Sequence, residues 1–201
     1  MELILFQIVW MEFPTTMSGR IPRLSFEEMA PRLQGILRSR VERLGYLGEF
    51  FQYSGALPDV LAPYMEMTEA LKQALPDRLT ETGALTVARL MGNAYELHQH
   101  ERLSVKRGFG EDWVAAVERL SPDDALLLSD EERAVQRLVM AMVERHGVGI
   151  SREIKATVEQ VGADQALAVM FLVGRYITHA LIVNGLELQP PVPSIFEKLG
   201  S

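Results

Sequence analysis

Apolar residues recur along most of the chain at spacings of three and four, which is the period of an amphipathic α-helix. An early example is the set of apolar positions Met29, Leu33, Ile36, Leu37, Val41 and Leu44. Apolar and polar residues do not alternate with a period of two over any convincing length. The pattern therefore predicts an all-α protein, with about seven or eight helices in one domain.

Capping patterns and helix-breaking residues give the helix boundaries. Ser25 with Glu28, and Ser129 with Glu132, form capping-box patterns at two helix starts. Gly185 stands where a C-terminal cap is expected. The predicted helices cover residues 25–43, 49–53, 58–75, 78–107, 111–120, 129–146, 151–161 and 163–184.

The last predicted helix, 163–184, is apolar around most of its circumference, which is typical of a helix at the centre of a core. Its apolar length approaches that of a membrane span, but Arg175 and His179 interrupt it. Charges at the centre of a span are costly, so we expect a buried core helix and no membrane association. Tyr176 and His179 are candidates for lining a pocket.

Both ends of the chain differ from the helical part. The first ten residues are apolar, but they lack a cationic leader and are too short to span a membrane. Residues 1–24 are therefore interpreted as an extension, or as a misassigned start with Met17 as the alternative. Residues 25–188 form the predicted helical domain, and the proline-rich residues 189–201 an irregular tail.

Composition narrows the classes of function. The chain has 201 residues and a formal charge of −7. Nucleic acids and anionic membranes are bound by basic patches, so we expect neither as a partner. No cysteine is present, which excludes disulfides, thiolate metal sites, cysteine nucleophiles and dithiol redox chemistry. We expect a cytoplasmic protein that acts on a small molecule.

Chemically useful side chains concentrate in the proline-free stretch 78–107. If this stretch is helical, Asn93, Glu96 and His100 lie on one face, with Arg89 one turn before them. A histidine assisted by a carboxylate can move protons to and from a small molecule. General acid–base catalysis is therefore the first interpretation of this stripe.

Metal binding is the second interpretation. His98 and His100 are two residues apart, so on a helix they point about 200° apart and do not grip one ion. Glu96 and His100 share a face but supply only two ligands, whereas a catalytic zinc has three from the protein. We expect neither a metal nor another cofactor.

The third interpretation is structural. Glu96 and His100 would then form an i,i+4 pair, with Glu101 and Arg102 on a solvated face. Glu81 is nineteen positions before His100, too far for contact along one straight helix. It reaches the imidazole only if the chain bends, if it comes from before the helix proper, or if a neighbouring subunit supplies it.

The segment Asn93-Ala-Tyr-Glu-Leu-His-Gln-His100 resembles the core motif of the carboxymuconolactone decarboxylase family. That family shares its fold with the alkyl hydroperoxidase D (AhpD) type, and the resemblance covers most of residues 25–188. In hydroperoxidase members the helix carries Cys-x-x-Cys-x-x-x-His. By this spacing Asn93 and Glu96 occupy the cysteine positions, His100 the histidine position and Glu81 that of an upstream glutamate. Peroxide reduction by a dithiol is therefore chemically unavailable here.

The resemblance implies an AhpD-like helical bundle and a cofactor-free lyase that decarboxylates a small carboxylated or lactone substrate. In this role His100 is the general acid or base, Glu96 a partner carboxylate or second base, and Glu81 orients the imidazole. A guanidinium suits a substrate carboxylate because its donors form a bidentate fork. The residues assigned to substrate binding are Arg89, Arg175, Asn93, Tyr95 and His179.

Two other functions remain open on the same residues. One is a non-catalytic binding or assembly protein that keeps the family fold. The other is a hydrolase or isomerase that uses the same glutamate and histidine. The resemblance also implies a homo-oligomer, either a trimer or a hexamer.

Overall fold

The computed structural model describes residues 21–197. The interpretation of the apolar N-terminus and of Met17 as an alternative start concerns residues outside this range. Within it the chain forms nine α-helices and no strand, so the all-α prediction is confirmed. The helices are α1 Pro31–Leu44, α2 Glu49–Ser54, α3 Pro58–Ala74, α4 Asp77–Leu90, α5 Ala94–Lys106, α6 Glu111–Glu118, α7 Asp130–Glu144, α8 Ser151–Val161 and α9 Ala163–Gly185.

Two of the predicted helix boundaries are wrong. Ser25 accompanies an isolated turn in which its backbone N–H donates to Glu28 at 2.8 Å, and α1 begins only at Pro31. Gly185 lies inside α9, and the left-handed backbone that ends the helix occurs at Glu187, with φ of 53°. The capping box at Ser129 is present as predicted.

The largest departure from the predicted helices lies in the stretch 78–107, which is two helices joined by a tight turn. Gly92 adopts φ of +60°, a left-handed conformation that glycine reaches without steric cost. Asn93 then caps α5, because its side-chain oxygen accepts the backbone N–H of Glu96 at 3.2 Å. The turn folds α5 back along α4, which explains why the structure has more helices than predicted.

Helices α4 and α9 form the centre of the bundle. Ten consecutive residues of α4, from Leu79 to Ala88, are buried, and α4 packs against α5, α6, α7 and α9. A Cβ added to Gly83 would lie 2.7 Å from Leu172 Cδ2, so this glycine permits a close approach of α4 and α9. The approach brings residues of α9 beside the α4–α5 pair.

Helix α9 is the one helix in the described range that is long and apolar enough to cross a membrane by length and composition. Within the chain, however, 56% of its most apolar window is buried. Arg175 and His179 lie on its buried side. The helix therefore packs as a core helix, as predicted.

Candidate functional site

The turn at Gly92 brings Glu81 of α4 against His100 of α5. Glu81 Oε2 lies 2.6 Å from His100 Nδ1, and both side chains are largely buried. Glu81 Oε1 accepts a hydrogen bond from the Arg107 guanidinium at 2.6 Å, and Arg107 also pairs with Asp77 at 3.1 Å. The carboxylate of Glu81 is thus held on both oxygens, which fixes the imidazole it contacts.

Glu96 lies between two histidines. Its Oε2 is 3.0 Å from His100 Nε2, one helical turn away on α5. Its Oε1 is 3.1 Å from His179 Nε2 on α9. One carboxylate therefore links the helix pair α4–α5 to α9.

Tyr176 of α9 completes the surroundings of His100. Its hydroxyl lies 3.0 Å from His100 Nε2, and the two rings meet edge to face with centroids 5.3 Å apart. Burial raises the pKa of the Tyr176 phenol well above its usual range, so the hydroxyl keeps its proton at neutral pH. Sequence reasoning gave Tyr176 only a lining role, because nothing along the chain places it beside His100.

The two histidines have different charge states at neutral pH. Burial lowers the pKa of His100, but Glu81 and Glu96 outweigh burial and raise it to about 9. Burial dominates at His179 and lowers its pKa to about 4, although Glu96 opposes this. Burial likewise raises the pKa of Glu96, yet the contact with His179 and the charges of His100 and Arg175 outweigh burial and hold the carboxyl ionised. His100 is therefore an imidazolium and His179 a neutral imidazole.

These side chains line a cavity of about 240 Å³. Two carboxylates face it, Glu81 and Glu96, and both contact His100. The cavity also collects six cationic residues, which are Arg40, Arg43, Lys72, Arg102, Lys106 and Arg175. In a chain whose formal charge is −7, this concentration of positive charge favours an anionic ligand.

Arg175 is the deepest of these cations and is only 6% exposed. Its Nε donates to Thr68 Oγ1 at 3.2 Å, and its guanidinium lies 4.3 Å from the Tyr176 ring centroid. Its Nη1 is buried and has no hydrogen-bond partner within residues 21–197. A buried guanidinium nitrogen without an acceptor is suited to a ligand carboxylate.

Arg40 was missed by the sequence reasoning, since it stands in the polar half of an ordinary amphipathic helix. It is half-buried at the cavity, with its guanidinium 5.3 Å from the Phe51 ring centroid. Burial lowers the pKa of Arg40, and the charges of Glu96 and Arg175 also act on it. Arg40 and Arg175 therefore both line the cavity, from α1 and α9.

Two predicted substrate-binding residues lie elsewhere. Arg89 is exposed near the end of α4 and does not line the cavity; its charge lowers the pKa of Glu118 of α6. Asn93 is buried and its side-chain oxygen is used as the cap of α5, so it too is absent from the cavity wall.

The other residues considered in the sequence divide between the cavity and positions outside its wall. Tyr95, Arg175 and His179 line the cavity. His98 lies away from this wall and contacts the carbonyl of Val192 at 3.1 Å. Glu101, predicted on a solvated face, is 1% exposed.

Among the described residues, no group of three or more histidine or acidic residues has an arrangement that could hold a metal ion.

Part of the chain matches a known protein family. Residues 58–126 match the model of the carboxymuconolactone decarboxylase family, and this segment contains Glu81, Glu96 and His100. None of the curated proteins compared with the chain matches it.

Solved structures with low sequence identity share the fold. A protein of unknown function from Agrobacterium tumefaciens, a candidate antioxidant defence protein AhpD, has a TM-score of 0.64 at 19% identity over 70% of this chain and 97% of that one. The debrominase Bmp8 in complex with 2,3,4-tribromopyrrole has a TM-score of 0.74 at 14% identity over 87% of this chain and 93% of that one. The family match and the AhpD-like fold confirm the resemblance seen in the motif.

Proposed function

We propose that this carboxymuconolactone decarboxylase-like protein is a cofactor-free lyase that decarboxylates a small carboxylated or lactone substrate. The observation that carries the proposal is the position of His100. Its imidazolium is held between Glu81 and Glu96 on the wall of a cationic cavity. A buried, fully protonated histidine beside an anion-binding cavity suits a general acid for carbon protonation.

Substrate binding is assigned to Arg175 and Arg40. The unpaired Nη1 of Arg175 would donate a hydrogen bond to one oxygen of the substrate carboxylate, and the Arg40 guanidinium would neutralise the same end of the molecule. Arg89 has no part in this binding, since it lies outside the cavity.

The reaction needs one proton per turnover. Cleavage of the carbon–carbon bond releases CO₂ and leaves the bonding electron pair as an enolate on the adjacent carbonyl. The Nε2–H of His100 then protonates the carbon, and the neutral imidazole recovers a proton from solvent. Glu81 contacts the other ring nitrogen, Nδ1, and so keeps Nε2 as the group that transfers the proton.

A panel of lactones and β-keto acids tests this function, with release of CO₂ as the readout. We expect turnover by the wild type and a loss of at least about 100-fold in kcat for His100→Gln, the usual size of a general acid–base contribution. Arg175→Ala should raise KM, whereas Arg89→Ala is the matched arginine control and should keep wild-type kinetics. Full turnover by His100→Gln on a substrate of the wild type would exclude the mechanism.

An isomerase is the second candidate, and His179 is the observation that favours it. A neutral imidazole and an imidazolium share Glu96, so the site contains both a potential base and an acid. An isomerase would convert its substrate without releasing CO₂. Exchange of substrate hydrogen with deuterated solvent, without CO₂ release, would therefore replace the lyase proposal.

Self-association is proposed as well, in the form of the trimer or hexamer implied by the family resemblance. Helix α9 exposes apolar side chains at helical spacing, which are Leu167, Phe171, Leu181 and Ile182. An exposed apolar stripe of this kind is suited to burial between copies. Light scattering of the wild type and of Phe171→Glu tests this, and a monomeric wild type would contradict it.

A further inference from the structure

Both nitrogens of the His100 ring face a carboxylate. Glu81 Oε2 lies 2.6 Å from Nδ1, and Glu96 Oε2 lies 3.0 Å from Nε2. An ionised carboxylate only accepts hydrogen bonds, so each ring nitrogen carries a proton and donates it. Nε2 therefore has no lone pair left to accept from another donor. This restricts the Tyr176 hydroxyl, which lies 3.0 Å from the same nitrogen.

The Tyr176 hydroxyl can only accept from His100. A phenol also has one O–H donor, and that donor does not point at an N–H. Within residues 21–197 the hydroxyl has no hydrogen-bond partner besides His100. Tyr176 is buried, and a buried donor without an acceptor is costly. Since Tyr176 and His100 both line the cavity, the phenol proton is available to a ligand that accepts a hydrogen bond there.

Two neighbouring side chains hold the Tyr176 ring in place. The Arg175 guanidinium lies 4.3 Å from the ring centroid, and the His100 ring meets the phenol edge to face with centroids 5.3 Å apart. Burial raises the pKa of the phenol well above its usual range, and the charge of Arg175 offsets this rise only in part. Tyr176 therefore presents a fixed O–H donor that stays protonated at neutral pH.

We propose that Tyr176 is a catalytic residue, which donates a hydrogen bond to the enolate oxygen while His100 protonates the carbon. In an enolate, one carbon atom separates the oxygen from the carbon that takes up the proton. Tyr176 Oη and His100 Nε2 are 3.0 Å apart, so the two donors can address both atoms of one small molecule. A fixed donor directed at developing negative charge stabilises an oxyanion. The inference rests on the proposed function, because it needs an enolate in the cavity.

Tyr176→Phe removes the hydroxyl and keeps the ring with its two contacts. On a substrate identified by release of CO₂, we expect kcat to fall about 100-fold with little change in KM, which is the usual effect of losing one oxyanion donor. Tyr53→Phe is the matched control, because Tyr53 is a buried tyrosine of α2 outside the cavity wall, and it should keep wild-type kinetics. Wild-type kcat in Tyr176→Phe would overturn the inference and leave the lyase proposal standing.

The titration of His100 separates a catalytic role of the hydroxyl from a positioning role. Burial lowers the pKa of His100, and Glu81 and Glu96 raise it to about 9. The imidazole nitrogen shifts should therefore titrate in Tyr176→Phe as they do in the wild type. A loss of kcat accompanied by a large change in this titration would show that the hydroxyl acts by holding His100, and would overturn the inference.

Oxalate tests the same hydrogen bond without turnover. Two oxygens of one of its carboxylates stand for the oxygen and the terminal carbon of an enolate, and the second carboxylate suits the cationic cavity. Calorimetry should show oxalate binding the wild type and Tyr53→Phe about tenfold more tightly than Tyr176→Phe, since a hydrogen bond to a charged group is lost. A wild type that binds oxalate no more tightly than Tyr176→Phe would overturn the inference. The expected difference without CO₂ release from any compound would count against the lyase alone.

Discussion

His100 Nδ1 lies 2.6 Å from Glu81 Oε2 although nineteen residues separate them in the chain. The contact exists because the turn at Gly92 folds α5 back along α4. It favours the protonated form of His100 at neutral pH and ties the chemistry of the site to the geometry of one turn. The first predictions concern this contact.

Replacing Glu81 by Gln should lower the pKa of His100 from about 9, because it removes the carboxylate with the largest favourable effect on the imidazolium. Nitrogen chemical shifts of the imidazole, followed through a pH titration, measure this. Glu159→Gln, at an exposed position on α8, is the control and should leave the titration unchanged. An unaltered His100 titration in Glu81→Gln would contradict the assigned pairing.

The two histidines together should give the free energy of unfolding a maximum near about pH 6.5. The pKa of His100 is raised to about 9. Its contribution to folding stability is therefore complete below about pH 6.5 and is lost as the pH rises through about 9. The pKa of His179 is lowered to about 4, so stability is also lost as the pH falls from about 6.5 towards 4.

Denaturant unfolding at a series of pH values measures this dependence. The contribution of His100 is on the order of 3 kcal/mol, since its pKa differs by about 2.5 units between the folded and unfolded chains. His100→Asn should remove most of the alkaline loss. An alkaline loss of the same size in that variant would assign the effect to other groups.

Gly92→Ala should destabilise the protein by about 1–2 kcal/mol, because alanine is strained at a φ of +60°. Gly35→Ala is the control with the opposite sign. Gly35 lies inside α1 with no atom within 4 Å of an added Cβ, so alanine there should stabilise by about 0.5–1 kcal/mol. Thermal unfolding of both variants measures these two changes in stability. Equal changes would argue against a left-handed turn at Gly92.

Asn93→Ala tests whether Asn93 is a helix cap or a ligand of the substrate. A lost N-cap should cost about 1 kcal/mol of stability, whereas Asn93→Asp keeps an acceptor and should cost much less. On an identified substrate, KM should change little in Asn93→Asp. A large increase of KM without loss of stability would return Asn93 to the binding residues.

The periodicity of the sequence was sufficient for the fold class and for most helix positions, since burial of an apolar stripe is a local requirement of each helix. The break of the central helix was not predicted. A single glycine in a helical pattern is compatible with helix, and only packing against α9 and the cap at Asn93 favour the left-handed turn. The same turn decided whether Glu81 could contact His100.

The sequence by itself determined the chemical limits of this protein. No thiol is available, and one segment carries a glutamate and a histidine one helical turn apart, because these facts depend on composition and on helix geometry alone. The tertiary structure decided which residues come together at the site. Tyr176 and His179 reach the site from α9, and Arg40 replaces Arg89 at the cavity. Glu101 is buried and accepts hydrogen bonds from Ser194 and Ile195. These contacts join residues far apart in the chain, and their positions follow from how the helices pack rather than from local spacing.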